Sequence, residues 1–284
     1  MPAFIFRKKC LLKMKITNLP IPLIDRVRAQ NPVVLTVANN VTADKVADAL
    51  SASGTSPIMS QAPEEAPAMV GLADAITINL GTIDQAQLTL IRAILDANAG
   101  RCPVVLDPVA VGSSDYRLTI AKRLLADYYF TVIRGNASEI ASLAGLTANG
   151  HGIDAGDVQG DPVTVAKRCA HTYHTCVLLT GPTDVVTDGQ DVFTNPTRAN
   201  MLTVNVGSGD MLSSLTAAYL AVGDNPVTSS ALVAKAFSLA GLVAARHAAG
   251  LGHWQTRFFD ELSQLTSDRF AAQLAHGKDD NNDE

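Results

Sequence analysis

The sequence is short of the residue patterns that mark several classes of protein. Aromatic residues make up 5% of the 284 residues, and no basic stripe with interleaved aromatics is present to track a nucleic acid. The four cysteines lack CxxC spacing and the six histidines lack an HExxH pair, so no disulfide framework or zinc site is indicated. No uninterrupted apolar run approaches the roughly 18 residues of a membrane span. We therefore expect a cytoplasmic protein that binds neither nucleic acid nor a membrane.

What the sequence does contain is an alternation of two patterns. Short apolar runs predict strands, and the segments between them have the apolar period of helices. Predicted strands lie at 33–37, 75–79, 103–106, 130–133 and 176–180, and predicted helices at 42–53, 84–99, 116–126, 136–144 and 162–174. Repeated strand-helix units predict an α/β fold with a mostly parallel sheet.

The pattern changes after Thr180. Runs at 184–187 and 191–194 flank Asp188-Gly189-Gln190 and predict an antiparallel edge hairpin, followed by helices near 211–222, 227–248 and 254–274. We predict a three-layer αβα, Rossmann-like fold. A single domain is expected over 26–274, after a variable N-terminal segment at 1–25 and before a disordered acidic tail at 275–284.

The strongest candidate site is the run Gly207-Ser208-Gly209-Asp210 before a predicted helix. Its glycines allow the backbone to approach a phosphate closely, and the helix N-terminus favours an anion. A carboxylate at Asp210 is placed to accept a proton from a substrate hydroxyl during phosphoryl transfer. The alternative is a tight turn in which Asp210 merely caps the helix.

Other polar residues stand where predicted strands end, and each has a structural alternative. Arg134 is suited to clamp a phosphate or to form a surface ion pair. Asn136 and Glu139 have the spacing of a capping box, with contact to Mg²⁺ through water as the alternative for Glu139. Thr180 is suited to contact a nucleotide or to begin a turn, and Asp107 to hold a hydrated metal ion or to close an Asx turn.

Two segments in the N-terminal half are candidates for an organic-substrate pocket. They are Asn39–Thr42 and Ser56–Met59, which follow the first two strand-helix units. Met59 is equally compatible with a role as core filler.

Taken together, these motifs resemble the hydroxyethylthiazole kinase family of the ribokinase-like superfamily over nearly all of residues 30–250. No single motif is decisive, but their order and spacing are specific in combination. The resemblance rests on Asn31-Pro32, Asn39–Thr42, Gly54–Met59, Ala62–Glu65, Leu106–Val109, Thr131–Glu139, Thr180-Gly181 and Gly207–Asp210.

The resemblance implies phosphorylation of the hydroxyl of 4-methyl-5-(2-hydroxyethyl)thiazole by ATP and Mg²⁺, a salvage step towards thiamine. We expect Asp210 to be the base and the amides of Gly207, Ser208 and Gly209 to form the anion hole. The binding roles fall into three groups. Met59, Gly207 and Asn39 would contact the thiazole; Arg134, Thr180 and Asn136 would contact ATP; Glu139 and Asp107, with Asn136 beside them, would organise Mg²⁺ through water.

The resemblance also implies a homotrimer with substrate sites at subunit interfaces. The sequence between the first predicted strand and its helix leaves no room for the lid hairpin of many sugar kinases. We therefore expect a neighbouring subunit to close the site.

One residue departs from the family pattern. Many members carry Cys at the last position of the glycine turn, where this chain carries Asp210. A carboxylate is ionised at neutral pH and a thiol mostly is not, so the change favours catalysis. It also leaves the acceptor open. The alternatives are a kinase of hydroxymethylpyrimidine, of a similar heterocycle or of a sugar, or a non-catalytic sensor of thiazole or nucleotide.

Overall fold

A computed structural model describes residues 19–146 and 161–279, which form eight strands and twelve α-helices. The strands are β1 (Val33–Val37), β2 (Ser56–Ile58), β3 (Ala75–Asn79), β4 (Val104–Asp107), β5 (Val132–Asn136), β6 (Cys176–Thr180), β7 (Asp184–Thr187) and β8 (Val192–Asn195). The helices are α1 (Leu23–Gln30), α2 (Ala43–Ala52), α3 (Ala66–Leu72), α4 (Gln85–Asn98), α5 (Asp115–Asp127), α6 (Ala137–Leu143), α7 (Pro162–Tyr173), α8 (Asn200–Val204), α9 (Ser208–Val222), α10 (Pro226–Ala245), α11 (Leu251–Ser263) and α12 (Ser267–Asp279).

The strands form one sheet in the order β2-β1-β3-β4-β5-β6-β7-β8. β1 to β6 are parallel, and the hairpin of β7 and β8 adds two antiparallel strands at one edge. This confirms the predicted mostly parallel sheet with an antiparallel edge. The loop 38–42 joins β1 to α2 directly, as expected for a chain without a lid hairpin at this point.

Helices cover both faces of the sheet because neighbouring strand residues point to opposite sides. On β1, Val34 packs into the core shared with α1, α2, α9, α10 and α11, and Leu35 packs into the core shared with α3 to α7. Strands buried on both faces read as continuous apolar runs, which is why the sequence pattern located them. The three-layer αβα prediction is confirmed.

Helix α10 is the most apolar of the long helices. By length and composition alone Pro226–Ala245 could cross a membrane, but 83% of its most apolar window is buried inside the protein. Its neighbours α9 and α11 supply this cover, and Phe237 of α10 packs edge-on against Phe258 of α11 at 5.0 Å. The helix is a core element of the fold.

The cysteines that the structure describes are buried free thiols: Cys102, Cys169 and Cys176. Burial raises the pKa of Cys169 and of Cys176 to about 12, so both stay protonated at neutral pH. Cys10 lies outside the described residues.

Several element boundaries differ from the prediction. β2 was not predicted, because three residues interrupted by Pro57 give too little pattern. β5 starts at Val132 and continues to Asn136, because its last residues pair with β6 as far as Asn136 with Thr180. The predicted helix 254–274 is two helices, α11 and α12.

The ends of the predicted domain also fall within helices. α1 begins at Leu23 and α12 ends at Asp279, so helical structure extends beyond 26–274 in both directions. Most of the predicted N-terminal segment and half of the predicted tail lie outside the described residues. The domain bounds stay a prediction.

Candidate active site

Four neighbouring parallel strands each end, at the carboxyl side of the sheet, on a polar residue. Asn79 ends β3, Asp107 ends β4, Asn136 ends β5 and Thr180 ends β6. The register pairs Asn79 with Asp107 and Asn136 with Thr180 across neighbouring strands. The carboxyl ends of parallel strands are where open α/β sheets bind ligands. Helix α9 begins above this row and packs on β3 and β4.

The turn before α9 has a conformation that requires glycine. Gly207 occupies the N-cap position with φ of +95°, and a Cβ added there would lie 2.9 Å from Thr42 Cγ2. The Ser208 hydroxyl donates to the Asn205 carbonyl at 2.9 Å and accepts from Asn205 Nδ2 at 3.0 Å. Ser208 therefore holds the turn in place. Asp210 lies inside the helix and does not occupy the cap.

The carboxylate of Asp210 is held by two side chains from different loops. Asn79 Nδ2 donates to Oδ1 at 3.0 Å, and the hydroxyl of Thr42 donates to Oδ2. Asp210 is only half-buried, and each of its carboxylate oxygens is able to accept a further hydrogen bond. The structure thus presents an oriented carboxylate at the N-terminus of α9.

Arg134 lies against Gly209 of the glycine turn. Its Nη2 donates to Thr180 Oγ1 at 2.7 Å, and its Nη1 pairs with Asp107 Oδ2 at 3.4 Å. The ion pair is largely buried, with exposed side-chain fractions of 13% and 1%, so it is not a surface pair. A Cβ on Gly209 would overlap Arg134 Nη1. The glycine therefore leaves room for the guanidinium.

Asp107 is the most deeply buried ionisable group of the site. Its Oδ2 accepts a hydrogen bond from Ser213 at 2.6 Å, and its Oδ1 has no hydrogen-bond partner among the described residues. Its pKa is raised from 3.8 to about 7, chiefly by burial; Arg134 opposes the rise, and the neighbouring Glu139 and Asp210 contribute to it.

Asn136 and Glu139 form the capping box that their spacing predicts. Asn136 Oδ1 accepts from the Glu139 amide at 2.9 Å, and Glu139 Oε2 accepts from the Asn136 amide at 2.7 Å. The other oxygen of Glu139 accepts from the Ala110 amide at 2.8 Å. The buried carboxylate thus joins the start of α6 to the loop after β4.

A cavity of about 530 Å³ opens beside the glycine turn, on the β5–β6 side of the sheet. Arg134, Asn136 and Thr180, the residues assigned to ATP, line this single cavity together with Gly209. Its other walls come from the loop after β6, the start of β7, the loop after β8, and the helices α8, α9 and α10. They are Gly181, Pro182, Asp184, Thr197, Arg198, Ala199, Leu202, Thr203, Ser208, Leu212, Phe237 and Ser238.

Asn39 and Met59, the residues assigned to the thiazole, lie towards the other side of the sheet. Asn39 follows β1, and its Oδ1 accepts from the Val41 amide at 3.0 Å. Met59 follows β2 and is 37% exposed, so it does not fill the core. The strand order places Asp210, through its bond to Asn79 of β3, between these residues and the cavity.

Sequence reasoning missed Asn79 and Ser213, which hold Asp210 and Asp107. Asn79 had a recognisable signal, because it ends a predicted strand as Thr180 does. Ser213 lies inside an apolar helical segment, where a buried serine has no distinguishing pattern.

The raised pKa of Asp107 predicts a pH dependence of stability. Because its folded-state pKa of about 7 lies above the value of 3.8 for an unfolded chain, its protonation stabilises the fold at low pH. This contribution is lost as pH rises through 7. We expect Asp107→Asn, measured by urea denaturation, to lose less free energy of unfolding between about pH 5 and pH 8 than the wild type.

Asp115→Asn, at an exposed position on α5, is the matched control and should behave as the wild type. Asp184, whose pKa burial raises to about 6, contributes equally to all three proteins. An identical pH dependence in Asp107→Asn and the wild type would contradict the prediction.

The sequence is similar over most of its length to one family of known proteins. The chain matches the model of the hydroxyethylthiazole kinase family over residues 24–268. A protein named hydroxyethylthiazole kinase from Limosilactobacillus reuteri is 56% identical over 241 residues, which cover 85% of this chain and 89% of the relative.

Solved structures extend the comparison to the fold. The structure of a hydroxyethylthiazole kinase protein from Pyrococcus horikoshii is 30% identical, with a TM-score of 0.79, covering 87% of this chain and 93% of that one. The ADP/ATP-dependent NAD(P)H-hydrate dehydratase of Bacillus subtilis, co-crystallised with ATP and Mg²⁺, shares the fold at 18% identity, with a TM-score of 0.56 and coverage of 89% of this chain and 99% of that one. The family match, the close relative and the shared fold show that this chain belongs to the hydroxyethylthiazole kinase family.

Proposed function

We propose that this protein transfers the γ-phosphoryl group of ATP to the hydroxyl of 4-methyl-5-(2-hydroxyethyl)thiazole in the cytoplasm, as a salvage step towards thiamine. The observation that carries the proposal is the position of Asp210. Its carboxylate lies at the N-terminus of α9, with the cavity that includes Arg134 and Thr180 on one side and the segments of Asn39 and Met59 on the other. The thiazole as acceptor follows from the family and its relatives.

Asp210 acts as the general base in this proposal. A carboxylate accepts the proton of the acceptor hydroxyl as the new O–P bond forms, and a loose phosphoryl-transfer transition state demands no earlier deprotonation. Of the amides of Gly207, Ser208 and Gly209 that were expected to form the anion hole, that of Ser208 donates to the Asn205 carbonyl at 3.3 Å. The first amides of a helix have no acceptor within the helix, and those of Gly209 and Asp210 lie in the first turn of α9. They would stabilise the charge on the phosphoryl group during in-line transfer.

The cavity of about 530 Å³ is assigned to ATP. Its volume lies within the range of about 300–1,000 Å³ that is usual for small-molecule sites. Arg134 would contact the phosphates, because its guanidinium is held by Asp107 and Thr180 beside the glycine turn. Asn136 and Thr180 would complete the nucleotide site at the ends of β5 and β6.

Mg²⁺ fits this site as an ion held through water and phosphate oxygens. Asp107 Oδ1 is buried without a partner, and both oxygens of Glu139 are occupied by backbone amides. Within 19–146 and 161–279 no three His, Cys, Asp or Glu side chains cluster closely enough to hold a metal ion directly. Mg²⁺ keeps most of its water and binds readily through substrate phosphates, where it neutralises charge on the transferred group.

A homotrimer with interfacial active sites is the proposed assembly. Val41 and Val206 are 68% and 64% exposed, and they flank Thr42 and Gly207 beside Asp210. Lys45 donates to the Val206 carbonyl at 3.0 Å and joins these two segments. Exposed apolar side chains around a polar site favour cover by another protein surface.

Replacing the proposed base should nearly abolish transfer. We expect Asp210→Asn to lower kcat by about 10²–10⁴-fold in an ADP-release assay with ATP, Mg²⁺ and the thiazole alcohol. Asp48→Asn, at an exposed position on α2, is the control. Wild-type turnover in Asp210→Asn would show that the base is another group.

The same assay distinguishes the acceptor. ADP release should be fastest with hydroxyethylthiazole when it is compared with hydroxymethylpyrimidine and ribose. Calorimetric binding of the thiazole with no ADP release in the presence of ATP and Mg²⁺ would indicate a sensor.

The contact between Gly209 and Arg134 predicts a defect in nucleotide binding. In Gly209→Ala the added methyl group overlaps Arg134 Nη1, so the guanidinium must leave its place between Asp107 and Thr180. We expect KM for ATP to rise about tenfold, as for the loss of one charged hydrogen bond. Gly71→Ala, whose added Cβ would have no neighbouring atom within 4 Å, should leave KM for ATP unchanged. An unchanged KM in Gly209→Ala would contradict the proposed role of Arg134.

If the protein is a homotrimer with interfacial active sites, a charge introduced beside the site should disrupt the trimer. Val206→Asp should convert a trimer into smaller species in light scattering and lower turnover in the same samples. Tyr129→Asp is the control, because Tyr129 is 68% exposed but precedes β5, at the amino ends of the parallel strands and away from the site. A wild-type chain that is monomeric and fully active would contradict an interfacial site.

A further inference from the structure

The side chain of Asn79 is a buried amide, and both its oxygen and its NH₂ group form hydrogen bonds. It ends β3 and is 1% exposed. The Gly81 amide donates to Asn79 Oδ1 at 2.7 Å, and Asn79 Nδ2 donates to Asp210 Oδ1 at 3.0 Å. Because the Gly81 N–H requires an acceptor, the oxygen of the Asn79 side chain must face it. The NH₂ group is thereby directed at Asp210.

The loop that orients Asn79 is itself fixed from a neighbouring helix. Arg117 of α5 donates to the Leu80 carbonyl at 2.5 Å, to the Gly81 carbonyl at 2.8 Å and to the Val109 carbonyl at 3.1 Å. Gly81 also lies so close to Asn39 that an added Cβ would overlap its amide. A connected set of hydrogen bonds therefore runs from Arg117 through Gly81 and Asn79 to Asp210.

We propose that Asn79 is a positioning residue for phosphoryl transfer, which holds the carboxylate of Asp210 oriented towards the acceptor hydroxyl. This inference rests on the proposed role of Asp210 as base. Thr42 binds the second oxygen of Asp210, so each oxygen has one protein donor. A carboxylate oxygen accepts more than one hydrogen bond, which leaves room for the hydroxyl of the substrate.

The physical reason is that a hydrogen bond fixes the direction in which a carboxylate presents its oxygens. Charged side chains lie around Asp210 on three elements. Asp107 of β4 interacts electrostatically with Asp210, Arg134 of β5 lies against Gly209, and Lys45 of α2 binds the Val206 carbonyl. Asn79 adds a neutral donor on the side of β3, and this donor can be removed without changing the other charges.

Asn79→Asp separates the two bonds of the amide. The new side chain keeps an oxygen for the Gly81 amide but replaces the donor to Asp210 with a second carboxylate. We expect kcat to fall about 10- to 100-fold, as for the loss of a hydrogen bond to a charged group, while KM for ATP stays near that of the wild type. The acid limb of the pH profile of kcat should move to higher pH. An unmoved limb would show that residue 79 does not face the group whose ionisation limits kcat.

Thr77→Val is the matched control. Thr77 lies on β3 two residues before Asn79, is 1% exposed, and its hydroxyl has no partner among the described residues. It should have the pH profile of the wild type.

A double-mutant cycle tests whether Asn79 acts through Asp210. Asn79→Leu, which removes both bonds, should lower kcat in the wild-type background but have no further effect in Asp210→Asn. Losses that multiply in the double variant, or an unmoved acid limb in Asn79→Asp, would overturn the inference.

The cycle also separates this inference from the proposed function. If Asp210→Asn loses turnover and the losses multiply, Asp210 remains the base and only the role of Asn79 is wrong. If Asp210→Asn keeps wild-type turnover, the base assignment itself is wrong and the role of Asn79 is wrong with it.

Discussion

The buried carboxylate of Asp107 joins the sheet to the helix that carries the proposed base. It ends β4, accepts a hydrogen bond from Ser213 of α9 at 2.6 Å and pairs with Arg134 of β5 at 3.4 Å. A carboxylate without water is costly unless it is paired and hydrogen-bonded, and here one oxygen still has no partner. The position of α9, and with it that of Asp210, therefore depends on a buried carboxylate whose burial costs free energy.

Negative charge is concentrated around this link. Glu139 and Asp210 both raise the pKa of Asp107, and Arg134 opposes them. Bound ATP would add more negative charge, and the single guanidinium of Arg134 would neutralise only part of it. The proposed hydrated Mg²⁺ would supply positive charge there, and the unpaired oxygen of Asp107 would be an acceptor for its waters. The carboxylates therefore repel one another in the free protein, and the same negative charge favours the binding of a cation.

The glycine turn determines how closely these groups approach one another. Gly207 has a left-handed conformation that lets the chain pass Thr42, and Gly209 leaves space for Arg134. A side chain at either position would separate Asp210 from its donor or Arg134 from its partners. The family resemblance implies Cys at this position in many members, whereas this chain carries Asp210. The bonds from Asn79 and Thr42 show how a carboxylate is accommodated at that place.

The sequence by itself determined the layers of this protein and most of the residues in its site. Strands buried on both faces read as apolar runs, and polar residues directly after them mark the ligand-binding edge of a parallel sheet. Arg134, Asn136, Thr180 and Asp107 were found in this way. The local pattern also predicted the capping box of Asn136 and Glu139, because a helix start depends on residues that are close in sequence.

Only the tertiary structure decided which groups bind each other across the chain. Asn79 and Asp210 are 131 positions apart, and Ser213 and Asp107 are 106 apart, so no local pattern relates them. The short β2, interrupted by Pro57, is likewise a strand because β1 offers it an edge to pair with. Local sequence determines helix starts and buried strands through short-range sterics and hydrogen bonds. The partners of Asp210 and Asp107 were decided by the packing of α9 across the sheet, which depends on the whole fold.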